Sequence, residues 1–269
     1  MRKTSAGLLI VVAMALMAML APWLAPFDPK VMSLPNRLEG PSTQHWMGRD
    51  ENGSDVLSQV IYGSRVSLGV AWCVVLVSAS IGLIIGSWAG YRGGTTDNII
   101  MRFVDTFVAF PGFLIALAFV AMLGPSLVNM ILALCFTSWT SFARLVRGEV
   151  LHLKEREHVQ AARALGARGL RIAVLHIWPN LLGLLIVQAT FAMSATIITE
   201  SGLSFLGLGV PPDIPTWGSS LGSGRRVLSE APHLSFAPGL AMMTLVLGFN
   251  LLGDGLREVL DPRRVRKTN

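Results

Sequence analysis

The sequence predicts an all-α membrane protein of six transmembrane helices with its N- and C-termini on the cytoplasmic side. Three observations lead there. Of 269 residues, 52% are apolar and only 14% charged, with a mean hydropathy of +0.57, whereas soluble chains carry roughly 25% charge. The missing charge is concentrated in five charge-free runs, 4–27, 66–91, 106–143, 172–199 and 231–253. A helix needs about 20 mostly apolar residues to cross a bilayer. Four runs therefore supply one span each, and the longest, interrupted by Gly124-Pro125, supplies two. The third observation is the distribution of Lys and Arg, which accumulate on the cytoplasmic side of membrane proteins. With the N-terminus inside, 16 of the 22 fall on inner segments, and only Lys30, Arg37, Arg49, Arg65, Arg225 and Arg226 fall outside.

The first span, about 6–27, follows Arg2-Lys3. Its apolar core ends in Met19-Leu20-Ala21-Pro22, which puts a large residue and a proline where signal-peptide cleavage needs small ones. An uncleaved helix is expected. An outer segment, 28–65, leads to the second span at about 66–90. There Gly82, Gly86 and Gly90 form a flat stripe that lets another helix approach closely, and packing within the bundle is expected. The third span is placed at about 101–123 and the fourth at 127–146. An inner loop, 147–171, precedes the fifth span at 180–199. A second outer segment, 200–235, precedes the sixth at 236–253, and a basic tail, 257–269, closes the chain. Every extramembrane segment is short, so 1–269 is expected to be a single transmembrane domain. Asp105 is the main ionisable group at membrane depth, and Arg102 at i−3 is its expected ion-pair partner. Cys73 and Cys135 lie inside spans without metal-ligand spacing and read as small buried hydrophobes.

Several chemistries are missing. The four lysines follow Arg2, Pro29, Leu153 and Arg266, so the Gly-Lys pair of a phosphate-binding loop is absent. No HExxH zinc motif exists, the five histidines form no relay, and neither cofactor nor metal is expected. Gly218-Ser219-Ser220-Leu221-Gly222 satisfies G-x-S-x-G, which carries meaning on a strand-to-helix elbow. This copy follows Pro211, Pro212 and Pro215 and reads as a polar turn. The formal charge of +6 reports membrane orientation, and nucleic acid is not an expected partner.

The inner loop is the most informative segment. Glu155 and Glu157 precede Arg163 and Arg168, an order that suits a helix dipole. Val159, Ala162 and Leu165 fall at helical spacing on one face, and Gly166 is placed as a helix stop. This draws a short amphipathic helix, a glycine turn, and a second segment leading to Pro179. Gln160-Ala161-Ala162 and Gly166, followed by Ile177-Trp178-Pro179-Asn180, resemble the EAA loop of ABC importer permeases, with Gln160 where the family usually has glutamate. Four further segments resemble the dipeptide/oligopeptide/nickel permeases within that family. Gly48-Arg49-Asp50 with Gly53-Ser54-Asp55 resembles their G-T-D-x-x-G-R-D signature, departing from it at Arg49 and Ser54. Asp105 through Phe110-Pro111 is similar to D-x-x-x-x-F-P. Ser204-Phe205-Leu206-Gly207-Leu208-Gly209 with Trp217-Gly218 is similar to the outer loop before the last span. Asn250 to Arg257, including Asp254, and then Leu260-Asp261-Pro262, are similar to the C-terminal end.

The resemblance spans nearly the whole chain and is nearest to the second, C-type, permease of such systems. It implies the type I ABC importer permease fold in the bacterial inner membrane, and an importer driven by ATP without an ATPase site of its own. It also implies a heterodimer with a second related permease, two cytoplasmic ATPase subunits and an extracytoplasmic substrate-binding protein. The coupling loop, 147–179, with Glu157, Val159, Gln160, Ala161, Ala162, Arg163, Leu165, Gly166 and Pro179, would dock on an ATPase. Gly48, Asp50, Gly53, Asp55, Asp105, Pro111, Gly207, Gly209, Trp217, Gly218 and Asp254 are the family's signature positions. Di- or oligopeptides are the first expected cargo, with nickel, a metal-chelate or glutathione as alternatives. A self-sufficient channel or secondary transporter is the rival of another class, and would want more ionisable groups along its path than Asp105.

Overall fold

The computed structural model describes residues 2–211 and 213–260. Pro212 and the tail from Asp261-Pro262 onward, with its basic residues, lie outside the described residues. The chain opens with α1 (Arg2–Met19), continued past Leu20 by the short α2 (Ala21–Leu24) with Pro22 in its first turn. An irregular segment holding one 3₁₀ turn, Leu34–Asn36, leads to α3 (Val56–Arg92). This helix begins ten residues before the apolar run because Asp55 caps it, accepting from the Ser58 N–H at 2.8 Å and satisfying a donor the helix leaves free. Then come α4 (Gly94–Val108), α5 (Gly112–Leu123) and α6 (Leu127–Leu153). Next are α7 (Glu157–Ala164) and α8 (Gly169–Ile172), which continues through a π-helical turn, Ala173–Ile177, into α9 (Trp178–Phe205). The chain closes with α10 (Trp217–Arg226) and α11 (His233–Leu260).

Four helices are long and apolar enough to cross a membrane: α3, α6, the continuous stretch Gly169–Phe205, and α11. The helix expected from residue 180 therefore begins at Gly169, because the segment leading to Pro179 runs straight into it. Pro179 has no N–H for the carbonyl four residues back, and the wider π turn sits at this place. The Asn180 side chain donates to the His176 carbonyl at 2.7 Å.

The span expected as one helix over 101–123 is two. α4 and α5 pass the same test only together, and they are bent by 78° at their break. The cause is Pro111, which cannot donate a helical hydrogen bond and disfavours helical geometry at Phe110. Gly124, at φ +87°, ends α5 as expected, so the longest apolar run is broken twice. The first apolar helix, Lys3–Met19, is shorter than the others. At ~1.5 Å per residue it rises about 26 Å, against a hydrocarbon core of about 30 Å.

α3 and α6 pack along the predicted glycine stripe. A Cβ at Gly82 would collide with Phe142, one at Gly86 with the Ala143 carbonyl, and one at Gly90 would sit 2.9 Å from the Arg147 carbonyl. Only glycine allows backbones this close. The first and last helices repeat the device: a Cβ at Gly7 would lie 2.8 Å from the Gly248 carbonyl, and Gly255 meets Thr4. The main core gathers Leu68, Phe142, Ile197, Leu245 and Phe249 from α3, α6, α9 and α11, with Trp217 sealing one end. This arrangement sets two ends, one carrying α7 and one carrying Asp55.

Candidate functional site

At the α7 end, one buried side chain holds the short helix down. Val159 is fully buried and packs with Val150, Leu153, Ile172 and Ile177, while the Arg163 guanidinium lies 5.6 Å over the Tyr91 ring. Gly166 stops the helix in the left-handed conformation, at φ +84°. Its N–H donates to the Arg163 carbonyl and that of Ala167 to the Ala162 carbonyl, the paired bonds of a Schellman turn. The expected apolar face is only partly turned inward: Ala162 is half-buried, but Leu165 is 89% exposed. The reason is that the helix ends at Ala164, so Leu165 lies in the cap and points away. Leu170, in the next segment, is 76% exposed. Glu157, Gln160, Ala161, Arg163 and Pro179 are exposed as well. Gln160 donates weakly to Glu155, at 3.3 Å to its carboxylate.

At the opposite end, the signature residues bind one another. Asp50 accepts from the N–H groups of Asn52 and Ser54 at 2.9 and 2.8 Å, and from the Gln59 side chain at 2.6 Å. Asp55 uses one oxygen for the Ser58 N–H and hydroxyl and the other for His45 Nδ1 at 2.8 Å. Gly48 and Gly53 let the two turns close: a Cβ on Gly53 would collide with the Ser33 backbone, and one on Gly48 would come 2.7 Å from the His233 ring. All four motif residues are buried.

Farther along α3, where it meets α9, stands a group that the sequence does not single out. Glu200 is fully buried and accepts from the hydroxyls of Ser67, Ser201 and Ser204 at 3.1, 3.3 and 2.9 Å. Buried carboxylates need such partners. The serines at i+1 and i+4 were a local signal, but Ser67 lies 133 residues away. Gly209 and Gly218 pack against Ser204 and Ser201, where a side chain would collide. Gly207 forms a second Schellman turn, with Gly207 and Leu208 donating to the carbonyls of Ser204 and Leu203. Trp217 is fully buried and donates from Nε1 to the Val60 carbonyl at 2.9 Å. Gly218 to Gly222 belong to α10, so the G-x-S-x-G match lies on a helix behind a Thr216–Ser219 capping box.

Along α4, the partner of Asp105 is Arg144 at 2.8 Å rather than Arg102. Arg102 is exposed one turn back on the same helix, while α6 brings Arg144 across from 39 positions away. The stronger pair was not anticipated. Arg147 donates to both oxygens of Asp97, at 3.0 and 2.6 Å, and the Asp97 side chain is 8% exposed against 65% for Asp105. Such bidentate contacts are the strong kind. Pro111 sits at the bend already described. Asp254 is exposed on α11, between Gly253 and Gly255, which meet Thr190 and Thr4.

An all-helical fold with several apolar spans, one of them broken, and a short helix set on a glycine turn between two long ones, defines the class: an inner-membrane permease of an ABC importer. Residues 82–266 match the family described as binding-protein-dependent transport system inner membrane component, and residues 5–41 match the N-terminal TM domain of oligopeptide transport permease C. The chain belongs to the binding-protein-dependent transport permeases, within their peptide/oligopeptide branch, and is a multi-pass protein of the bacterial inner membrane. It is 42% identical over 257 residues to a dipeptide transport system permease protein of Alkalihalophilus pseudofirmus, covering 96% of this chain and 84% of the relative. It is equally identical, over 260 residues, to a glutathione transport system permease protein of Pectobacterium atrosepticum, covering 96% and 86%. A glutathione permease of Escherichia coli O157:H7 matches at 42% over 256 residues, 95% and 84%.

Proposed function

We propose that this chain forms half of the translocation pathway of an ATP-driven importer of di- or oligopeptides, and that α7 couples it to an ATPase subunit. The observation that carries the coupling is the pair of exposed leucines, Leu165 and Leu170, which flank the Gly166 turn between α7, held by buried Val159, and α8. A fixed helix showing apolar and small residues is suited to docking in a groove on another protein. Movement of that groove on ATP binding would then shift α9, which runs on from α8 and the π turn without a break and is joined to α7 by the short Gly166 turn. In this reading 1–269 is a single domain of six spans. α1 is one span and the bent pair α4–α5 another, both termini are cytoplasmic, and a related permease completes the pathway. A binding protein delivers cargo at the Asp55 end, and hydrolysis belongs to the partner ATPases.

Peptide cargo is favoured by the dipeptide relative, and glutathione, itself a tripeptide, by the others. The test is affinity purification of the tagged chain in mild detergent. Recovery of a second permease with two P-loop ATPases is the expected result. A chain that purifies alone and transports in liposomes without ATP would contradict the proposal.

A further inference from the structure

A groove of about 340 Å³ opens between α5, α6 and α9, a size within the ~300–1,000 Å³ of small-molecule sites. α6 lines it with Thr137, Ser138 and Ser141, and α9 with Gln188, Thr196 and Thr199. On each helix these positions share one face at helical spacing. Thr137 donates back to the carbonyls of Ala133 and Leu134, and Thr199 to that of Ala195. The side chains of Ser138, Ser141 and Gln188 make no hydrogen bond among the described residues. Polar groups without partners are costly at membrane depth, so these three call for water or a solute. No charged side chain lines the groove. The next charge along α6, Arg144, is held by Asp105.

We infer that this groove is the chain's cargo surface and that it holds cargo by neutral hydrogen bonds, with Gln188 reading peptide amides. The inference rests on the importer reading and adds its contact residues. A glutamine amide offers donors and an acceptor, matching the one N–H and one C=O of each peptide group. Hydroxyls likewise donate and accept. A lining without charge binds the backbone common to all peptides and leaves the charge of their side chains unread.

Two measurements on the assembled importer, with Cys73 and Cys135 replaced by alanine, test this. In the first, cysteine is placed at Ser141, Gln188 or Leu132, an exposed position on another face of α6. A charged, membrane-impermeant thiol reagent is expected to modify S141C and Q188C in the nucleotide-free or the ATP-bound state, and L132C in neither. Failure to react at both groove positions in both states would overturn the inference. In the second, uptake of Asp-Ala-Ala is compared with that of Lys-Ala-Ala. Ser141→Asp is expected to shift the ratio about tenfold toward the lysine peptide, Ser141→Lys about tenfold the other way, and Gln188→Leu to lower both alike. Shifts in one direction for both charges would contradict it, as would loss of the partner permease from the Gln188→Leu complex, which would make the groove a subunit contact. If the unaltered importer takes up neither peptide, the peptide reading fails, while the thiol reaction still decides the groove.

Discussion

At the Asp55 end, the chain itself uses up the motif residues. Asp50 and Asp55 find their donors among its own side chains and turns, and Trp217 is wholly enclosed. At the α7 end, the motif residues are left over: Ala161 and Gln160 on the helix and Leu165 in its cap are exposed, while one valine and a glycine turn hold the helix in place. Two segments with equally specific sequence patterns thus carry different kinds of constraint. In the first, each residue is required by its neighbours in the fold, and substitution should cost stability. In the second, the fold asks little of the exposed residues, and substitution should cost only what an external partner contributes.

That contrast can be broken by experiment, starting where the effect is largest. Trp217→Ala empties a fully buried site and removes the indole hydrogen bond to the Val60 carbonyl, so a loss of about 3–5 kcal/mol is expected, read as a large fall in the thermal midpoint of the purified chain. Asp55→Ala removes the cap of the 37-residue α3 and the partner of His45. A loss of about 2–3 kcal/mol follows from charged hydrogen bonds of this kind, measured the same way. The two α4–α6 ion pairs should separate clearly. Arg147→Ala leaves buried Asp97 without its bidentate partner, whereas Arg144→Ala touches an exposed pair of the kind worth about 0–1 kcal/mol. A midpoint that falls as far for Arg144→Ala as for Arg147→Ala would refute that ordering. The smallest stability effect belongs to Leu165→Ala, expected within about 0.5 kcal/mol of the unaltered protein, while uptake by the importer is reduced.

Much of this was legible in local patterns. The spans represented by α3, α6, α9 and α11 are written in long charge-free runs, and the Gly82-Gly86-Gly90 packing face and the stop at Gly166 in patterns of a few residues. What was not legible depends on distance along the chain. Asp105 pairs with Arg144 instead of Arg102 because tertiary packing outbids a neighbour on the same helix. Glu200 looks like the start of an outer loop until Ser67, on another helix, is brought beside it. The bend at Pro111 was visible as a motif, but an unbroken hydropathy signal masked it as a break. Leu165 satisfies the helical spacing of Val159 and Ala162 but falls one residue beyond the helix end, which spacing alone does not locate.

A double substitution decides whether the α7 surface serves a partner or the fold. The chain carrying Ala161→Glu and Leu165→Asp would be compared with the unaltered protein for thermal midpoint and for P-loop ATPases recovered on purification. An unchanged midpoint, retention of the second permease and loss of the ATPases are expected. Retained ATPases, or a midpoint that falls with their loss, would contradict the partner role.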